Sequence, residues 1–307
     1  MPPTLANDDV ALSAAMADFN AAAERIWEAA SPTCPDLSIE VRPEIGSTNT
    51  ELMARGRRGE TSTTLLVACR QTAGRGRQGR SWQAALGDSL TFSLGLPMRL
   101  DEVPGGGSAL SLAVGLAVVQ ALDAHLPRLQ GLPIGLKWPN DLWLDGRKLG
   151  GILIEACPAP GLDEGQRWVV IGVGLNIRDG AAPAGSAALQ TSGLLHPEHT
   201  PDRTPDRTPI TPGQVWAWIA PVLLQKVQAF ASHGFAPLQH AYSQRDVLAG
   251  HPVGLWTTPG QGPADGHPPS QTGLAQGVSE TGALLVHTDQ GCQSWTTGEV
   301  SVRLQAR

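Results

Sequence analysis

Cysteine is scarce in this chain, and charge of either sign is sparse. The four cysteines among 307 residues, Cys34, Cys69, Cys157 and Cys292, form no C-x-x-C pair. Neither a zinc ribbon nor a redox motif is therefore signalled. Cys69 and Cys157 sit in apolar, strand-like runs and read as buried thiols. No basic n-region precedes an apolar stretch near the N-terminus, and no apolar run is expected to reach the ~18 residues of a membrane span. A reducing cytoplasm is the expected location, with no membrane partner. Charged residues make up only 16% and the net charge is −6, which argues against a general nucleic-acid footprint. There is no G-x-x-x-x-G-K-[ST], hence no Walker-A loop. Histidines 196, 199, 233, 240, 251 and 267 all fall in the second half of the chain, so a Ser/His/Asp triad is unsupported.

Against that background one basic stretch stands out. Gly74 to Arg80 holds three glycines and three arginines in seven residues, within Gln71-Thr72-Ala73-Gly74-Arg75-Gly76-Arg77-Gln78-Gly79-Arg80-Ser81-Trp82. It follows the β-prone run 64–69, so a buried strand opens into a mobile cationic loop. Glycine lets backbone N–H groups approach an anion, and arginine supplies a rigid fork for phosphate or carboxylate. Gly74, Gly76 and Gly79 match a dinucleotide fingerprint formally. The interleaved Arg and Gln side chains exclude it, because that fingerprint leaves phosphate to backbone and helix dipole.

The remaining organisation follows from periodicity. Residues 8–30 read as a helix with Phe19, Ala23, Ile26, Trp27 and Ala30 on one face. Pro32, Pro35 and Pro43 then interrupt the chain, leaving little room for a helix-turn-helix. Thr48 and Glu51 have capping-box spacing for a helix to about Arg57. Ser89 to Leu94 alternates strictly and predicts a half-buried strand. Residues 108–126 predict a central helix with Ser108 as N-cap. A strand reaches Trp138, Asp145-Gly146 marks a hairpin turn, and strands follow over 149–155 and 168–177. Residues 178–211, with Thr-Pro-Asp-Arg repeated at 200–207, read as a disordered surface insertion. Thr211-Pro212 starts a helix carrying Val215, Trp218, Ile219, Val222, Leu223 and Phe230 inward, with a kink at Pro221. A short helix is expected over 235–245. Five short strands after His251 predict a small barrel. The expected units are an N-terminal helix and linker (1–43), a catalytic unit (44–248) containing the insertion, and a C-terminal unit (249–307).

Lysines 137 and 148, Asn140 and Asp141 flank the hairpin, and Gly151, Gly172 and Gly174 lie in strands where backbone can approach a ligand. Cationic donors in excess beside one carboxylate suit chemistry at an ATP α-phosphate. The blocks Ser47-Thr48-Asn49, Gln71 to Trp82, Lys137-Trp138-Pro139-Asn140-Asp141-Leu142, Arg147 to Leu153 and Gly172-Val173-Gly174-Leu175-Asn176 stand in the same order as in biotin–protein ligases. The chain resembles that family, and within it the bacterial biotin–[acetyl-CoA-carboxylase] ligases.

The resemblance implies an α+β fold of the class II aminoacyl-tRNA synthetase/biotin synthetase type: a mixed sheet with helices, then a small SH3-like β-barrel. It implies ligation of biotin to a lysine of a biotin carboxyl carrier domain, of acetyl-CoA carboxylase or a related enzyme, through biotinyl-5′-AMP. ATP and Mg²⁺ would be required, with no metal held by the protein alone. Ser47, Thr48, Asn49, Gln71, Arg75, Gly76, Arg77, Lys148, Gly151, Gly172 and Gly174 would bind biotin. Arg75, Arg77, Arg80, Trp82, Lys137, Asn140, Lys148 and Asn176 would bind ATP or the adenylate. Lys148, Asp141 and Arg77 would carry the chemistry, and the Arg/Gly loop would close over the intermediate. Many relatives are also repressors; residues 1–43 predict no winged helix, so no DNA partner is expected. A homodimer is left open. Competing readings are a lipoate or octanoate ligase of the same fold, and a non-enzymatic biotinyl-AMP sensor.

Overall fold

The apolar runs that the sequence spaces along the chain converge on one seven-stranded sheet. The computed structural model describes residues 3–126, 134–178, 180, 183–190, 209–257, 266–296 and 300–305. The Thr-Pro-Asp-Arg repeat lies outside the described residues. Strand order is β1-β2-β3-β7-β6-β5-β4, formed by β1 (Ser38–Ile45), β2 (Thr64–Gln71), β3 (Ser89–Met98), β4 (Gly135–Lys137), β5 (Asp141–Leu144), β6 (Arg147–Cys157) and β7 (Arg167–Asn176). β1 and β2 are parallel; every other pair is antiparallel. The central pair is β3 with β7, in unbroken register from Ser89↔Asn176 to Met98↔Arg167.

Helices α1 (Pro3–Ala30), α3 (Gly106–His125) and α4 (Pro212–His233) join the main core on one face. α2 (Thr48–Arg57) covers the other over a second cluster of Leu52, Met53, Leu66, Cys157, Trp168 and Val170. This layering corrects the reading of β3. Ser89, Thr91 and Ser93 are buried rather than solvated, because the face they occupy lies beneath α2 and the site. A strand's polar alternation records which side is polar, not which side is wet.

Other expectations shift for local reasons. β1 was unforeseen because it contains Pro43; as the edge strand it can lack one ladder donor. α1 buries Ala15, Phe19, Ala22, Ile26 and Ala30, while Trp27 is exposed. The cap of α2 is Ser47, whose Oγ accepts from Thr50 N, and Thr48 is the first helical residue. Gly105, at φ 83°, caps α3 in place of Ser108. α3 is in fact long and apolar enough to cross a bilayer, contrary to expectation. Its side chains are instead buried in the main core. Thr211 caps α4 with a full capping box, and the helix runs unbroken through Pro221. Trp216 is its buried aromatic; Trp218 is only partly buried and stacks on His125. Within the supposed insertion, Ala187, Ala188 and Leu189 are buried, and the segment is tied by Ala187 N to Lys148 O (2.9 Å) and Leu189 N to Asn176 O (3.1 Å). A helical turn at 236–238 leads into α5 (Gln239–Ser243).

The last strands are β8 (Pro252–Trp256), β9 (Gln271–Val278), β10 (Leu284–Thr288), β11 (Gly291–Trp295) and β12 (Ser301–Leu304). They form one antiparallel sheet in the order β11-β10-β9-β8-β12. Trp138 Nε1 donates to Gly282 O at 3.0 Å, joining the two sheets beside the site.

Candidate active site

The first turn of α2 lies against the polar face of the sheet. A helix start has N–H groups to satisfy and favours short polar residues. Ser47, Thr48 and Asn49 fill those positions and are 3–5% exposed. Gln71, at the end of β2, accepts from Thr48 N through Oε1 at 2.8 Å. Ser93 of β3 lies 2.7 Å from Thr48 Oγ1 and 2.6 Å from Asn49 Oδ1. The Asn49 amide donates to Glu155 Oε2 at 3.0 Å. Gly172 makes room for this carboxamide: a Cβ there would lie 2.2 Å from Asn49 Oδ1.

The Arg/Gly stretch folds back on itself. Trp82 N donates to Gly74 O (2.9 Å) and Gly76 N to Arg80 O (2.7 Å). At its tip Gln78 and Gly79 have φ of 55° and 73°. Arg75 points to Thr50 Oγ1 (3.4 Å) and Glu155 (3.5 Å). Arg77 donates to Asn140 Oδ1 at 3.3 Å. The Trp82 indole occupies space that a Cβ on Gly174 would take. Trp82 therefore both returns the loop and lines the cavity.

The β5–β6 hairpin supplies the rest. Asp145 and Gly146 turn it with φ of 52° and 68°, as the Asp-Gly pair predicts. Lys148 Nζ donates to Asp141 Oδ1 at 2.6 Å. Lys137 is 3% exposed, with Nζ 5.5 Å from the Trp143 ring centroid. Burial pushes the Lys137 ammonium down to about 8; Asp141 opposes the shift, and Arg303, Lys148 and Arg80 add to it. Burial likewise lowers Arg77, with Asp141 opposing and Arg80 adding.

The helix start, the Arg/Gly loop and the hairpin border one cavity with an empty volume of about 1040 Å³, solvent at its mouth included; Ser93 and Glu155 lie behind its wall. Every residue expected at the site lines it except Asn176. Asn176 is buried behind it, its Nδ2 donating to Ala187 O at 3.0 Å. Sequence reasoning missed the contribution of β12 and the residue before it: Val300, Ser301, Val302 and Arg303 also line the cavity. The sequence placed a small barrel after His251 but gave no signal that it reaches the site. Burial lowers Arg303, Arg80 adds to the shift and Asp141 opposes it. Among the described residues the lining thus holds six cations, Arg75, Arg77, Arg80, Lys137, Lys148 and Arg303, against one carboxylate, Asp141. Like charges crowded in a partly dry cavity repel; a polyanion relieves both that repulsion and the desolvation. Among the described residues no three His, Cys, Asp or Glu cluster as a metal site.

Comparison with known proteins gives consistent matches. The family model described as Biotin/lipoate A/B protein ligase family covers residues 42–176, and that of the biotin protein ligase C terminal domain covers residues 264–303. The bifunctional ligase/repressor BirA of Escherichia coli is 30% identical over 276 residues, 87% of this chain and 74% of the relative. The biotin–[acetyl-CoA-carboxylase] ligase of Paracoccus denitrificans is 30% identical over 83% of this chain and 96% of its own length. Among solved structures, biotin protein ligase from Aquifex aeolicus in complex with biotin and ATP superposes with a TM-score of 0.64 at 26% identity, covering 87% of this chain and 99% of that one.

Proposed function

The chain belongs to the biotin protein ligase family, and from that premise we propose how its cavity carries out ATP-dependent attachment of biotin to a lysine of a carrier protein. The observation that carries the proposal is the cavity itself: six cations facing one carboxylate, beside a buried wall of hydroxyls and amides. The wall of Ser47, Thr48, Asn49 and Gln71 holds the ureido ring, with Gly151, Gly172 and Gly174 along the tail. Arg80, Lys137 and Arg303 hold the triphosphate, with Trp82 and Asn140 beside the nucleotide. Mg²⁺ would be supplied with the phosphates, since it is commonly bound through one or two carboxylates plus phosphate oxygens; Asp141 is the residue that would hold it, and the ion would offset charge on the leaving pyrophosphate.

In the first step a biotin carboxylate oxygen attacks the α-phosphorus. A new P–O bond forms, the bond to the bridging oxygen breaks, and pyrophosphate leaves with that electron pair. Lys148 stabilises the charge that builds on the α-phosphate. The Arg75-Gly76-Arg77 segment then covers the mixed anhydride and excludes water. In the second step the ε-amine of the carrier lysine attacks the biotinyl carbonyl and AMP departs. Asp141 orients this amine and takes its proton. On this reading residues 44–248 form the catalytic unit, and the C-terminal unit contributes Arg303. Use of ATP favours a cytoplasmic site of action, and the net charge of −6 weighs against DNA as a partner.

The test is transfer of labelled biotin to a purified carrier domain, dependent on ATP. Transfer of lipoate without transfer of biotin would sink the proposal.

The depressed Lys137 ammonium gives a pH prediction. Above pH about 8 the empty site has lost this proton; beside a bound triphosphate the opposite charge would hold it on. Binding then takes up a proton, so affinity falls as pH rises, approaching about tenfold per pH unit. KM for ATP measured from pH 7 to 9.5 should bend upward near 8 and lose the bend in Lys137→Arg. A flat profile in the native protein would contradict it.

A further inference from the structure

Glu155 does not line the cavity, yet it touches the cavity's polar wall and loop together. Its side chain is 21% exposed on β6, with Oε2 3.0 Å from Asn49 Nδ2 and Oε1 3.5 Å from the Arg75 guanidinium. The Arg75 contact is long and that arginine is half-exposed, so it contributes little. The Asn49 contact matters more, because it decides the direction of a chain of hydrogen bonds.

The Asn49 amide faces two groups that can only accept, the Glu155 carboxylate and Leu153 O at 3.4 Å. The NH₂ must point to them, so Oδ1 must face Ser93. Ser93 has one hydroxyl proton, and at 2.6 Å it goes to Asn49 Oδ1. The 2.7 Å contact between Ser93 and Thr48 is then closed by the Thr48 proton, donated to Ser93 Oγ. That proton is no longer available to Gln71 Oε1, which is already held by Thr48 N–H at 2.8 Å, nor to the cavity. Thr48 Oγ1 is left as an acceptor.

We propose that Glu155 is a positioning residue for the biotin subsite: acting through Asn49 and Ser93, it fixes Thr48 Oγ1 as the acceptor for a substrate N–H. The inference rests on the biotin reading above and adds to it a residue outside the cavity, Glu155, that sets the direction of the wall's hydrogen bonds. With a neutral amide at 155, Asn49 is free to turn over. Ser93 then donates to Thr48, and the Thr48 proton is released to Gln71 Oε1 at 3.1 Å or to the cavity, so the hydroxyl is no longer fixed as an acceptor for the ring.

The experiment is calorimetric titration of biotin into the native protein, Glu155→Gln, Thr48→Val and the double variant, with thermal melting and KM for ATP recorded for each. Glu155→Gln should weaken biotin binding about tenfold, in line with loss of a charge-assisted bond network. KM for ATP should stay within about twofold and melting should be unchanged, which a merely structural carboxylate would not produce. The double variant should bind as Thr48→Val does, because Glu155 acts through that hydroxyl. Native-like biotin binding by Glu155→Gln, or additive losses in the double variant, would overturn this inference alone. Absence of biotin binding by the native protein would overturn the functional proposal with it.

Discussion

Lys148→Ala will all but abolish adenylate formation while leaving the fold in place. The Lys148 ammonium is the donor nearest Asp141, at 2.6 Å, and it lies over Gly151, where a Cβ would come within 3.3 Å of Nζ. It is thus held at the floor of the cavity rather than swinging free. Removing one preorganised donor to a developing oxyanion commonly costs about 10²–10³ in rate. Pyrophosphate release with saturating biotin and ATP should fall by that factor. The lysine side chain is 41% exposed, so its ion pair adds little stability, about 0–1 kcal/mol. Melting should therefore move by no more than about 4 °C. Pyrophosphate release within threefold of native would remove Lys148 from the catalytic role, and a collapsed melt would make it a structural lysine.

Gly172→Ala will damage binding and stability together. The new methyl would sit 2.2 Å from Asn49 Oδ1 and 2.9 Å from its Cγ. The carboxamide cannot simply move aside, because Ser93, Glu155 and Leu153 hold it from three directions. Overpacking a buried site costs about 1–3 kcal/mol, and a buried polar group left unpaired adds about 1–3. A fall of several degrees in melting temperature should accompany a loss in biotin affinity of about 100-fold. Gly46→Ala is the control: nothing lies within 4 Å of a Cβ there, so both measurements should stay native. Native biotin binding by Gly172→Ala would falsify the wall as described.

These two residues illustrate different degrees of legibility. Lys148 could be singled out beforehand because its neighbours in sequence, an Asp-Gly turn and a Gly-Gly strand start, place it locally. Gly172 could be flagged as a close approach, but of what was hidden: the group it accommodates is not a ligand but Asn49, 123 positions earlier in the chain. Asn176 shows the reverse case. It shares a block with Gly172 and Gly174, yet at the end of β7 its side chain turns to the 187–189 segment and away from the cavity. Trp82 was expected beside the nucleotide; the fold gives it two places, since its backbone closes the loop and its ring covers Gly174.

The sequence by itself determined the chemical inventory: glycines and arginines beyond a buried strand, a capped helix start rich in hydroxyls, and two lysines around an Asp-Gly hairpin. Each follows from residue type and short spacing, which act within one turn or one strand. The tertiary structure alone decided that the polar side of β3 faces α2 instead of water, that Arg303 from the last strand joins the cavity, and that Glu155 orients Asn49. Those are contacts between groups from about 40 to more than 200 positions apart. Their direction depends on which donor or acceptor the fold brings within hydrogen-bond reach, and local propensity carries no record of that.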